Sequence, residues 1–137
     1  MKILSNAQRI CRQGPADWFT GEVWIDMVVE PELPAHAQAA LVTFTPGART
    51  AWHTHPLGQT LLVVSGLGWA QRQGEPAQPI RPGDVVVFAP GEVHWHGAEK
   101  AHTMVHLAMQ EKDDTGSNVT WGDQVTEADY AAAHANA

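Results

Sequence analysis

The sequence predicts an all-β protein, a small antiparallel sandwich or barrel with a short helix at its C-terminal end, and three observations predict it. Apolar and polar residues alternate with period two through Glu22 to Val28, Ala37 to Thr45 and Thr103 to Gln110, as half-buried strands require. Tight-turn dipeptides (Pro46-Gly47, Pro82-Gly83, Pro90-Gly91) punctuate the extended runs at short intervals. A helical start signal occurs only near the end, at Thr126-Glu-Ala-Asp129.

Taken in order, Lys2 to Leu4 reads as a short strand followed by a polar connector. Pro15 to Gly21 is a loop holding Trp18 and Phe19, which either line a pocket mouth or pack as an aromatic lid on the core. In the next strand Val23, Ile25 and Met27 share one face, and Glu30-Pro-Glu-Leu-Pro34 breaks it. Ala40, Val42 and Phe44 share a face of the following strand, which turns at Pro46-Gly47. Two extended segments flank Pro56 and Gly58, the second beginning at Gln59. Leu67 to Gln73 is a strand, Gly74 to Pro79 a turn, Asp84 to Phe88 a Val-rich strand, and Val93 to His96 a short extended piece. Along Thr103 to Gln110, Val105, Leu107 and Met109 form an apolar face, while Met104, His106, Ala108 and Gln110 form a mixed one that places His106 and Gln110 toward an internal cavity. Residues 111–118 are a polar loop, and the helix runs to about His134 and frays by Ala137. One domain over residues 1–137 is expected, with a core at about 22–110, an N-terminal arm at 1–21 and a C-terminal loop and helix at 111–137.

Composition narrows the function. Fifteen acidic residues against eight basic ones leave a net charge of −7, and no basic cluster exists, which argues against a nucleic-acid partner. Cys11 is the only cysteine, so neither an internal disulfide nor a thiolate-rich metal site can form. Nothing approaches a signal h-region or a membrane span, and a cytoplasmic protein without a membrane partner is expected. From Leu33 to Gly74 there is no Asp or Glu, so a metal site built there has no local carboxylate.

Such a site is suggested by the stretch Gly47 to Gly66. His53 and His55, two apart in an extended segment, send both imidazoles to one face, and Gln59 can swing back toward them after Pro56 and Gly58. A further ligand must come from elsewhere, and the Pro90-Gly91 turn delivers His94 and His96 on one face of the next extended piece. Trp52 and Trp95 alternate with these histidines and should point away as core or interface anchors. Arg49 reads as a surface or turn-stabilising ion pair.

These two segments resemble the motifs of the cupin family. The first cupin motif is Gly, five residues, His-x-His, three or four residues, Glu, six residues, Gly; Gly47, His53, His55 and Gly66 match it, and Gln59 stands at the usual Glu. The second motif matches at Gly83, Gly91 and His94, with Ala89 at the usual Pro and Ala98 at the usual Asn. The resemblance implies a conical β-barrel or jelly-roll sandwich. It extends, from Gly14-Pro-Ala-Asp-Trp-Phe-Thr-Gly21 through Ala48 to Gln59 and on to the His106 and Gln110 strand, to the small bacterial cupin hydroxynitrile lyases, the (R)-mandelonitrile lyase-like group. That likeness implies a metal, typically manganese, on His53, His55, Gln59 and His94, with Ala40, Val42, His96, His106 and Gln110 lining the cavity. It also implies reversible cleavage of a cyanohydrin to an aldehyde and hydrogen cyanide, and a homodimer or homotetramer.

The residue chemistry suits that reaction. Three neutral imidazoles and an amide leave a divalent charge uncompensated, which favours Lewis-acid work and disfavours the trivalent state that dioxygen activation needs. His106 is the candidate base and His96 a proton relay or substrate-orienting group. Gln110 either donates a hydrogen bond to substrate or braces the barrel wall, while Ala40 and Val42 supply room for an aryl group. Iron, zinc, nickel and cobalt suit the same donors as manganese. An oxygenase or isomerase acting on a small aromatic or sugar-derived metabolite, and a non-enzymatic metal- or metabolite-binding cupin, are the competing readings.

Overall fold

The computed structural model describes residues 1–135 and consists of thirteen strands, a 3-10 turn and one α-helix. The strands are β1 (Cys11–Gln13), β2 (Phe19–Thr20), β3 (Val23–Val29), β4 (Ala37–Phe44), β5 (Arg49–Thr50), β6 (His53–Thr54), β7 (Gln59–Gly66), β8 (Gly68–Arg72), β9 (Gln78–Ile80), β10 (Val85–Phe88), β11 (His94–Ala98), β12 (Met104–Glu111) and β13 (Thr120–Trp121). The helix α1 spans Glu127–Ala135, and the fraying expected at Ala137 lies outside the described residues. One sheet runs β1-β3-β4-β12-β7-β10; the other runs β13-β6-β11-β5-β2, with β8 joined to β11 and β9 to β8. The pairings are antiparallel.

The alternating patterns become two inner faces. Register sets Val23, Ile25 and Met27 of β3 opposite Phe44, Val42 and Ala40 of β4, and sets Phe44, Val42 and Ala40 in turn opposite Met104, His106 and Ala108 of β12. Phe44, Leu61 and Met104 are fully buried in the core between the sheets. A second cluster sits behind β11, where Trp69, Trp95 and Val125 pack against Tyr130 and Ala133 of the helix. Successive side chains of β11 therefore serve opposite sides: His94 and His96 face inward, and Trp95 anchors the helix as its alternation requires.

Several expectations need correction. Lys2 to Leu4 forms no strand; a capping box between Ser5 and Gln8 winds a 3-10 turn at Asn6–Gln8 instead, and the first strand is β1. The turn expected at Gly74 to Pro79 ends in β9, whose few residues pair only with β8. His55 lies beyond the end of β6 rather than within a continuous strand. Arg49 is buried, not superficial: its guanidinium donates to the Val125 carbonyl at 3.0 Å and to Glu127 at 2.9 Å, and lies over the Tyr130 ring. It ties the helix to the strand beside the site. The segments expected as arm and tail supply β1, β2 and β13 to the sheets.

The helix starts where the sequence indicates, with the Thr126 hydroxyl accepting from the Asp129 amide at 3.1 Å. Among the described residues, no helix is long and apolar enough to cross a membrane.

Candidate metal centre

The cavity between the two sheets has a volume of about 430 Å³ and holds His53, His55, Gln59, His96, His106 and Gln110 in its wall. Ala40 and Val42 line it, and Ile25 and Met27 of β3 extend its apolar side. Among the described residues, no carboxylate lines it, and Lys112 near the end of β12 is the one formally charged side chain there. Trp18 and Phe19 divide the two roles expected of their loop. Phe19 is buried edge-on against Phe44, while the more exposed Trp18 stacks on Trp121 at 5.3 Å.

Local folding aims the histidines. His53 and His94 are directly paired across β6 and β11, and their ring centroids lie 4.2 Å apart. A turn at Gly58, closed by its amide on the His55 carbonyl, returns the chain so that Gln59 starts β7 inside the cavity. Gly58 has φ +81°, and a Cβ there would meet the Phe88 carbonyl at 2.7 Å, so the turn requires glycine.

Three of the rings are fixed by backbone carbonyls. The Nδ1 of His53 lies 2.8 Å from the Ala51 oxygen, that of His94 2.8 Å from the Glu92 oxygen, and that of His55 2.6 Å from the Asn118 oxygen. A carbonyl only accepts, so each Nδ1 carries the proton and each Nε2 presents a lone pair. Burial holds these rings neutral, pushing His94 down to about 4 and His53 and His55 below their ordinary value.

Gln59 completes the set. Its amide nitrogen donates to Gln110 at 3.2 Å, which turns its oxygen toward the Nε2 of His94, also at 3.2 Å. An amide oxygen and an unprotonated imidazole nitrogen thus converge with no hydrogen between them, and the buried Nε2 of His55 has no hydrogen-bond partner. A shared cation satisfies such an all-acceptor arrangement, and the residues therefore fit a divalent metal.

His96 and His106 are held differently, with His106 Nε2 and His96 Nδ1 2.9 Å apart. Their remaining nitrogens, Nε2 of His96 and Nδ1 of His106, are buried without partners. Burial lowers both, His106 to about 4 and His96 well below its usual range, and Phe44 packs against both rings. One nitrogen each of His53, His94 and His96 lie within 4.8 Å of one another, so distance alone selects a trio containing His96. The carbonyl anchors, which set which nitrogen of a ring can ligate, instead group His55 with His53 and His94.

Among the wall residues not singled out from the sequence, Gln38 and Asn118 reach the donor set through hydrogen bonds. Gln38 lies opposite Gln110 in β4, on the same face as Ala40 and Val42, so strand parity could have found it. Asn118 lies in a loop, where no periodicity marks it.

Residues 40–109 match the cupin domain family. The chain is 55% identical over 130 residues to the (R)-mandelonitrile lyase of Granulicella tundricola, spanning 95% of this chain and 98% of the relative. A crystal structure of a cupin-like protein from Thermotoga maritima superposes with a TM-score of 0.81 at 42% identity, covering 86% of this chain and 89% of that one. The polyketide cyclase RemF of Streptomyces resistomycificus superposes at 0.74 with 14% identity over 95% and 90% of the two chains, a likeness of fold alone.

Proposed function

The chain belongs to the cupin family, and from that premise we propose that it is a metal-dependent carbon–carbon lyase that cleaves cyanohydrins such as mandelonitrile reversibly into an aldehyde and hydrogen cyanide. The observation that carries this reading is the juxtaposition, in one small cavity, of an all-neutral acceptor set and a buried imidazole pair. The near relative named for mandelonitrile cleavage supports the same choice of reaction.

His53, His55, His94 and Gln59 would hold one divalent ion; the likeness to the mandelonitrile lyase group favours manganese, while the donors themselves suit iron, zinc, nickel and cobalt as well. Bound there, the ion supplies Lewis acidity undiminished by any anionic ligand. The chain's own residues manage the proton. His106, with His96 as its partner, takes the hydroxyl proton of the cyanohydrin; the carbonyl forms as the carbon–carbon bond breaks, and its electron pair leaves with cyanide. The imidazole pair then returns the proton to cyanide as hydrogen cyanide and is neutral again. Burial suits this work, since both rings await substrate in their neutral, proton-accepting form. Ala40, Val42, Ile25 and Met27 leave an apolar space suited to an aryl group. Gln110 acts in this reading through Gln59, to which it is hydrogen-bonded.

Metal-loaded protein should release benzaldehyde from mandelonitrile well above the buffer rate and independently of oxygen, and chelation should remove the activity. Absence of release would eliminate the cyanohydrin. Oxygen uptake by the iron-loaded form would favour an oxygenase instead.

A further inference from the structure

The side chains that hold the proposed donor set in place extend beyond that set. Gln38, Gln110 and Gln59 stand side by side on β4, β12 and β7, in direct register across the sheet. Their amides all run in one direction. Gln59 donates to the Gln110 oxygen at 3.2 Å, and Gln110 donates to the Gln38 oxygen at 3.4 Å. The Gln38 oxygen also accepts from the side-chain amide of Asn118. The backbone carbonyl of that same Asn118 fixes His55 at 2.6 Å. Asn118 itself is held by a braced loop, in which one oxygen of Asp113 accepts from the Thr115 amide and hydroxyl and from the Ser117 amide.

We propose that Gln38 and Asn118 are positioning residues for the metal-binding side chains, closing a hydrogen-bonded chain that runs from His55 through Asn118, Gln38 and Gln110 to Gln59. The inference rests on the metal reading above. An amide can present either end, and what selects the oxygen of Gln59 is the order of donors and acceptors behind it. Turning Gln59 over would set its oxygen against the Gln110 oxygen and aim an N–H₂ group at the site. Turning Gln110 over would oppose two N–H₂ groups. Gln38 terminates the order because it enters through its oxygen alone, accepting from two sides. The loop bearing Asn118 thereby governs both a histidine and the amide oxygen of the site, although it lies outside the two histidine motifs.

The roles differ in a way that one charge can separate. Gln38 accepts, so Gln38→Glu preserves both bonds and Gln38→Met, of similar shape, breaks them. The side chain of Asn118 donates, so Asn118→Asp opposes two oxygens and breaks the chain. Protein stripped with chelator is titrated with manganese(II) alone, the dissociation constant is measured by calorimetry, and the paramagnetic resonance spectrum of the bound ion is recorded. Gln38→Met and Asn118→Asp should each weaken binding by roughly 10- to 100-fold and alter the spectrum, whereas Gln38→Glu should bind at least as tightly as the parent. Circular dichroism on each variant establishes that the fold is retained, and either weakened variant suffices if the other does not fold.

Equal affinities across the folded variants would overturn the positioning role and leave the metal reading standing. So would tighter binding by both acidic variants, which would mean that only charge matters. A parent protein that takes up no manganese would overturn both readings together.

Discussion

Two sets of histidines share one cavity, and they are held in opposite ways. His53, His55 and His94 each surrender Nδ1 to a backbone carbonyl, so their tautomer is set by the main chain and their lone pairs are committed inward. His96 and His106 lean on each other through a nitrogen pair 2.9 Å apart, so the proton between them can belong to either ring. A group that must bind a cation needs a fixed lone pair; a group that must accept and return a proton needs an unfixed one. On the proposed reading, the difference separates the two jobs within a cavity of about 430 Å³, using a single side-chain type.

The largest test of that division removes one member from each set. His94→Ala should abolish metal binding and activity together, as metal analysis beside a benzaldehyde assay will record. His106→Ala should keep its metal while turnover falls by about 10²- to 10⁴-fold, the range for loss of a positioned base. Loss of metal from the second variant would collapse the distinction.

Next in size is Gln59→Glu. A carboxylate would offset part of the divalent charge, so the variant should retain metal, cleave cyanohydrin more slowly and allow bound iron to oxidise more readily in air. Unchanged turnover and metal preference would show that the neutrality of the set is irrelevant.

Acid should then separate the sets more gently. Neutral burial lowers the folded-state values of all five rings below the ordinary value near 6.5, so the unfolded chain binds more protons in that range. Stability of the metal-free protein should therefore fall as pH drops from about 6.5 toward 4, measured as a melting temperature. With metal bound, the anchored rings face competition between ion and proton, so the same acidification should also release the ion.

The smallest effect is expected from Phe44→Leu. Phe44 touches His96 and His106, with ring centroids 5.9 Å and 5.2 Å away, and should alter their proton transfer a few-fold at unchanged metal affinity. Replacing a fully buried ring by a smaller side chain also costs stability, on the order of 1–2 kcal/mol.

Much of this was legible before any coordinates. Period two named the inward residues of β3, β4 and β12, because a strand buried on one face cannot hide its phase. The His-x-His spacing and the turn before Gln59 likewise indicated convergence. The pairing of His96 with His106 was not legible, since it depends on which strands become neighbours across the barrel. Nor was Arg49, whose burial follows from a helix arriving some eighty residues later to cover it. Short strands such as β9 and β13 escape for another reason: two or three residues carry no period, and their partners alone make them strands. Asn118 acts partly through its carbonyl, which every residue type possesses.

The aromatic stack at the mouth has a practical consequence. Trp121 lies 4.7 Å from His53 and nearly parallel to Trp18, with 10° between the indole planes. Two indoles so disposed couple their electronic transitions, and one of them touches a proposed ligand. Filling the site should therefore alter the protein's own near-ultraviolet dichroism and tryptophan emission. Occupancy could then be read optically in the untagged, unmodified chain before any substrate is added.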